Sequence, residues 1–322
     1  MNLVGTDYGR LMEPDYTTEE IQKIRKDFSP KAAAIRANLD NTPAPNRLYH
    51  YTNVVALKSI IETQVLWFTD VRYLNDAEEL DYPARLIGSV IESFISNTQD
   101  DVETELLRRF TNSFHAEGMI DLFTMSLSEE MDELSQWRGY GEGSGGVSVG
   151  LDVRHCSSNL PAALQLVRIE YDEAIQVTQI EDLVRAFLNL VQQHISMYEP
   201  RLHTFVIAEC CRYFRAEVLG LAMRFKSRHW RSEREWRIVI GLTPDEKREH
   251  LRFRSGKLGL VPFLESSVVQ MAGINYGKLP ISEIVLGPNP YHNLANEAML
   301  SFLRHHGYYH CEVTLSGVPL RA

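Results

Sequence analysis

The chain holds four cysteines in 322 residues, two of them adjacent (Cys210 and Cys211) and two alone (Cys156 and Cys311). That spacing fits neither a zinc site nor a disulfide framework, and it is the usage of a reducing compartment, so a cytoplasmic protein is expected. Long apolar runs are lacking as well. No window approaches the roughly 18 uninterrupted apolar residues of a membrane span. The opening "MNLVGTDYGRLMEPDYTTEE" has no basic start followed by an apolar run, so neither a secretory signal nor a membrane partner is expected. The histidines and carboxylates never fall into H-E-x-x-H or another compact ligand spacing, and no metal is expected. No G-x-S-x-G elbow occurs, which discounts a serine hydrolase. Internal repeats and low-complexity tracts are absent too.

What is present is a folding composition. Hydrophobic residues make up 44% of the chain, enough for a substantial core. The 33 Lys and Arg against 43 Asp and Glu give a net charge of −10, which repels nucleic acid at long range but leaves room for a local basic groove. Residues 1–45 read as a tail and helical appendage ahead of the hinge "NTPAPN", and 46–322 as a single catalytic-like domain. Within it, "RLYHY" reads as a strand. Val54, Leu57, Ile60 and Ile61 then recur at helical spacing behind the cap candidates Thr52 and Asn53, and "LWFTD" is a second strand. Asn75 and Glu78 stand in capping-box spacing before a long helix. "IDLFTMSLS" returns to strand, "MDELSQWRGYG" is a short helix running into a glycine loop, two helices cover roughly 176–223, and short strands dominate from "REWRIVIGL" onward. The order is mixed α+β, with helices inserted between the strands of two small sheets.

Three stretches carry candidate chemistry. "GEGSGG" matches G-x-G-x-x-G at Gly141, Gly143 and Gly146, but a helix precedes it and a strand follows. A dinucleotide fingerprint needs the reverse, so this is read as a turn. In "WRSEREWRIVI", alternation puts Glu233, Glu235 and Arg237 on one face and Arg234, Trp236, Ile238 and Ile240 on the other. The ionic face is either ordinary solvent-facing surface or part of a ligand site. Eight bases between Arg212 and Arg237 stand against Glu217, Glu233 and Glu235, an excess that suits a phosphate-bearing ligand or else a solvated helix face. "FTMSLSEE" places Thr124, Ser126 and Ser128 on one face of its strand, as structural hydroxyls or ligand hydrogen bonds.

These motifs, "LYHYTNVVALKSIIETQVLWFTDVRYLNDAEE", "FTMSLSEEMDELSQWRGYGEGSGGVSVGLD", "EREWRIV" and "ISEIVLG", together resemble the bacterial family called domain of unknown function 2971, from about residue 46 to 290. A histidine strand, a helix, an aromatic strand and a distant glutamate strand are also similar, more remotely, to ADP-ribosyltransferases of the His-Tyr-Glu type. That resemblance implies split antiparallel or mixed β-sheets with inserted helices, and NAD as substrate. It gives His50, with Tyr51 beside it, to the ribose, Trp67 or Phe68 to the nicotinamide ring, and Glu235 to catalysis. Glu233 supplies a Glu-x-Glu alternative, and Ser126 and Ser128 stand for a Ser-Thr-Ser strand. Trp137, Arg138 and Tyr140 are further NAD or acceptor contacts or else a cap on the glycine loop, and Arg237 is a further NAD contact. His50 has the alternative of a core histidine bonded to backbone, and Trp67 and Phe68 that of plain packing. The role implied is a toxin or phage-defence effector that ADP-ribosylates a macromolecule, with an antitoxin or defence-system protein as a partner. The bases at 212–237 with Lys247, Arg248, Arg252, Arg254 and Lys257 leave nucleic acid open as acceptor. The second reading is a non-catalytic module that binds a nucleotide or phage component. A metal-dependent nuclease ranks last for want of a carboxylate cluster.

Overall fold

The computed structural model describes residues 19, 22–23, 26, 43–74, 80–116, 122–140, 146–154, 164–241, 250–256, 259–266 and 278–319. The Asn75/Glu78 cap, Gly141 and Gly143, Cys156, Lys247, Arg248 and Lys257 lie outside the described residues, as does most of the N-terminal appendage. The chain is built as two compact units. One comprises Met1–Asn41, Ile91–Glu117 and Gln179–Val218, and the other Thr42–Val90, Gly118–Thr178 and Leu219–Ala322.

The second unit is α+β. It opens with β1 (Arg47–Asn53), whose last residue caps α1 (Val54–Thr63): the Asn53 Oδ1 accepts from the Ala56 N–H at 2.8 Å. Leu57 and Ile61, four apart on one face, are buried, and Gln64 at φ 58° ends the helix, its N–H closing on the Ile60 carbonyl. After β2 (Leu66–Asp70) come α2 (Asp81–Asn97), α3 (Asp101–Ala116) and β3 (Leu122–Ser128). Then follow α4 (Leu134–Tyr140), β4 (Gly146–Asp152) and β5 (Leu164–Arg168), and after them α5 (Glu173–Ile195) and α6 (His203–Ala222); α3 and most of α5 and α6 belong to the first unit. The chain finishes through β6 (Glu235–Gly241), β7 (Leu251–Gly256), β8 (Gly259–Ser266), β9 (Ile281–Leu286), α7 (His292–His305) and β10 (Glu312–Leu315). Helix α4 does precede the glycine loop and β4 does follow it, the reverse of a dinucleotide fingerprint.

The described strands form one mixed, open sheet in the order β10-β9-β4-β1-β3-β2-β8-β7, with β6 on β3 and β5 on β6. Pairing is antiparallel except between β9 and β10, and that parallel pair is joined by α7, since parallel strands need a crossover. Strand β3 carries three partners. Its full length pairs with β6 on one edge; its other edge is shared by β2, at Thr124 and Phe123, and β1, through the single pair Tyr49↔Ser128. The sheet therefore parts along β3 at residues 125–127.

Alternation fixes what each face holds. Leu48, Phe68, Phe123, Met125, Leu127, Trp236, Ile238 and Ile240 point into the main apolar cluster with Val147, Val149 and Ile284. Burying each large side chain there contributes about 2 kcal/mol. The opposite face holds Tyr49, Tyr51, Ser126, Ser128, Glu235 and Arg237, as their register requires. At one end of it Tyr51 meets Trp137 edge to face, with ring centroids 4.8 Å apart. Gly287 is a glycine by necessity, because a Cβ there would lie 2.9 Å from the Gly146 carbonyl oxygen and 2.9 Å from the Trp137 ring.

The other unit is helical where described. Phe214 stacks on Phe187 at 4.1 Å and meets Phe110 edge to face at 4.4 Å. No described helix is long and apolar enough to cross a membrane.

Candidate functional site

The turn before β6 sets the site. Residues 228–233 form a 3-10 segment closed by Arg234 at φ 43°, a left-handed conformation that a non-glycine residue rarely adopts. That bend turns the chain into β6, and the Glu235 N–H donates to the Tyr171 hydroxyl at 2.9 Å. The Arg234 guanidinium is tied outside to Glu130 at 2.6 Å.

Both oxygens of Glu235 are engaged. Oε1 accepts from Arg237 Nε at 2.7 Å, and Oε2 accepts from Arg237 Nη2 at 3.0 Å and from Lys226 Nζ at 2.9 Å. Lys226 Nζ also donates to Glu233 Oε2 at 2.7 Å, and Arg237 Nη1 to the Met223 carbonyl at 3.2 Å. Glu235 is 4% exposed, Arg237 1% and Lys226 8%, so these charges meet in a nearly dry cluster. Burial alone would raise the Glu235 pKa. The charges of Arg237 and Lys226, with the hydrogen bonds from Arg237, outweigh it and hold the carboxyl at about 2. Glu235 is therefore an anion at neutral pH.

The ionic side of "EREWRIV" is thus neither solvent surface nor an open phosphate groove. Lys226 and Arg237, counted among the local bases, are consumed internally. Lys226 is fixed because the chain at Glu170 runs beside it: Glu170 N–H donates to the Arg224 carbonyl and Lys226 N–H to the Glu170 carbonyl, at 2.7 and 3.2 Å. The Gln176 amide closes on the Glu170 and Lys226 carbonyls from α5.

Several sequence candidates converge here. Ser126 pairs in register with Arg237, and Ser128 with Glu235. The Ser128 hydroxyl donates to the Glu233 carbonyl at 2.6 Å. His50 reaches the same strand: its Nδ1 lies 3.0 Å from the Ser126 carbonyl oxygen, in the stretch where β3 has no ladder partner on that edge. Burial lowers the His50 pKa, opposed by that backbone hydrogen bond. By alternation His50 leaves β1 on the Leu48 side, so it meets β3 at the backbone edge rather than at its hydroxyl row.

Others are drawn elsewhere. Phe68 is wholly buried in the main cluster. The Tyr51 hydroxyl donates to the Glu130 carbonyl at 2.8 Å and accepts from the Glu133 N–H at 2.9 Å. Trp137 is buried, its Nε1 donating to Asp132 at 2.6 Å. These two aromatics brace the turn after β3 and offer no surface to a ligand. Arg138 is exposed on α4, and the Tyr140 side chain lies outside the described residues. Trp67 stands apart from Phe68: it is 41% exposed and packs against Phe263 at 4.6 Å.

Two participants escaped sequence reasoning, the bridging role of Lys226 and the hydroxyl of Tyr171. Lys226 carried a signal only in being a base nine residues before Glu235. Tyr171 carried none. Trp230, 38% exposed, sits with the Lys226 ammonium 5.1 Å from its ring centroid, at the rim of the cluster.

No curated protein and no solved structure matches the chain. Residues 136–238, which run from α4 through the Glu233, Glu235 and Arg237 cluster, match the model of a family described as a protein of unknown function, DUF2971.

Proposed function

We propose that the chain is an ADP-ribosyltransferase that takes NAD as substrate and modifies a macromolecule, with Glu235 as the catalytic carboxylate and His50 as the ribose contact. The observation that carries this reading is a buried carboxylate, Glu235, held ionised by Arg237 and Lys226 on the strand beside β3, whose Ser126 carbonyl lies 3.0 Å from His50 Nδ1. The chemistry asks little more. The glycosidic bond between the ribose C1′ and the nicotinamide nitrogen breaks with its electron pair on the departing neutral ring. A bond then forms from C1′ to the acceptor, which gives up a proton. The oxocarbenium character at C1′ is what the protein must stabilise, and a fixed anion in a dry site does so without reorganising. The depressed Glu235 pKa keeps that anion present throughout the physiological range.

A second reading, a non-catalytic nucleotide-binding module, is favoured by the same carboxylate's engagement: both oxygens are already satisfied by Lys226 and Arg237. Nicotinamide release in the presence of cell lysate separates the two. Release that Glu235→Gln abolishes supports transfer, and no release from folded protein supports the binding module. The toxin or defence role, the cytoplasmic location and a protein partner belong to this proposal and follow it.

A further inference from the structure

Arg254 lies on the face that carries Glu235. The register runs without a break: Arg254 opposite Val261 on β8, Phe263 opposite Thr69 on β2, Thr69 opposite Thr124 on β3, and Ser128 opposite Glu235 on β6. Trp67 belongs to the same face, two residues along β2 from Thr69. Four strand spacings of about 4.8 Å separate β7 from β6, about 19 Å across the sheet, and the same register sets Arg254 six residues, about 20 Å, from Glu235 along the strands.

The guanidinium of Arg254 is only partly satisfied. Its Nη2 donates to the Thr69 hydroxyl at 3.1 Å, while its Nε, shielded from solvent, has no hydrogen-bond partner. No carboxylate among the described residues pairs with it, in contrast to Arg47, Arg72, Arg212 and Arg237, which all have one. Even Glu265, opposite Trp67 on the same face, makes no ion pair with it. Burial alone lowers its pKa, with no opposing anion. A partly desolvated guanidinium with a shielded donor to spare is incomplete without an anionic acceptor. Two residues along β2 from the Thr69 that Arg254 contacts, and on the same face, stands Trp67, a half-open indole braced by Phe263, which offers a platform for a planar ring.

We infer that Arg254 and Trp67 form a subsite for a nucleoside diphosphate, Arg254 holding the diphosphate and Trp67 the ring. The inference takes only the class of ligand from the proposed use of NAD, and the subsite itself binds without chemistry.

The test is calorimetric titration of the full chain with ADP, AMP and adenosine, for the wild type, Arg254→Met, Arg254→Lys and Trp67→Leu, each checked for folding by circular dichroism. ADP should bind more tightly than AMP, and AMP more tightly than adenosine. Arg254→Met should weaken ADP about tenfold or more and leave adenosine unchanged, Arg254→Lys should recover part of the loss, and Trp67→Leu should weaken all three ligands. Equal binding of ADP by wild type and Arg254→Met, equal binding of ADP and adenosine by the wild type, or no ADP binding by folded wild type would each overturn the subsite. Absence of nicotinamide release with Arg254-dependent ADP binding would remove the transferase and leave the subsite standing.

Discussion

Replacing Arg237 by Met leaves Glu235 with Lys226 as its only charged partner among the described residues, in a cluster that water scarcely reaches. With the guanidinium go its two hydrogen bonds to the carboxylate and its bond to the Met223 carbonyl, among others. Breaking a buried pair by removing one partner costs about 3–5 kcal/mol, because the surviving charge is stranded. The pKa supports a similar scale: a carboxyl held at about 2 against an ordinary 4.5 represents about 3 kcal/mol of stability linked to its ionisation. The sign follows from the depression. In the wild type this stability is fully present above pH 4.5 and is lost as pH falls toward 2. In Arg237→Met the folded-state pKa rises, so neutralising Glu235 relieves the variant and the gap to wild type narrows on acidification. Urea unfolding followed by tryptophan fluorescence at pH 7 and again near pH 4 reads both quantities. A deficit below about 1 kcal/mol at pH 7, or one that stays constant with pH, would refute the claim that Glu235 is a buried anion dependent on Arg237.

Two further substitutions test the scaffold. Tyr51→Phe removes a hydroxyl that serves both the Glu130 carbonyl and the Glu133 N–H, and should lower stability by about 1–3 kcal/mol in the same urea assay with the secondary structure unchanged. Gly287→Ala drives a methyl against the Gly146 carbonyl and the Trp137 ring, and should cost about 1–3 kcal/mol and shift the Trp137 fluorescence. An unperturbed midpoint in either variant would contradict the packing described.

Local signals made much of this fold legible. Asn53 before an apolar helical repeat gave α1, and the alternation in "EREWRIV" correctly sent Trp236 and Ile238 into the core. The helix pair near 176–223 exists as α5 and α6. Long-range relations were not legible. Glu235 and Arg237 read as either a surface face or part of a ligand site, and nothing in their strand announces that β3 and β5 flank it, or that Lys226 arrives from the bend beside Glu170. The aromatics of "LYHY" and "SQWRGY" read as ligand contacts because aromatic residues serve cores and sites alike, and only the shared turn after β3 reveals that Tyr51 and Trp137 are structural. The division of the chain into two units, with helical segments of 91–117 and 179–218 in one of them, also crosses sequence order and leaves no compositional mark.

The central claim is that Glu235 is a catalytic anion, and it is tested most directly by nicotinamide release from NAD. The assay compares purified wild type with Glu235→Gln, alone and with cell lysate. The account predicts lysate-stimulated release by the wild type, and in Glu235→Gln a loss of about a hundredfold or more, with the variant's fold retained by circular dichroism. Release unchanged by the substitution, or no release from folded wild type, would contradict it.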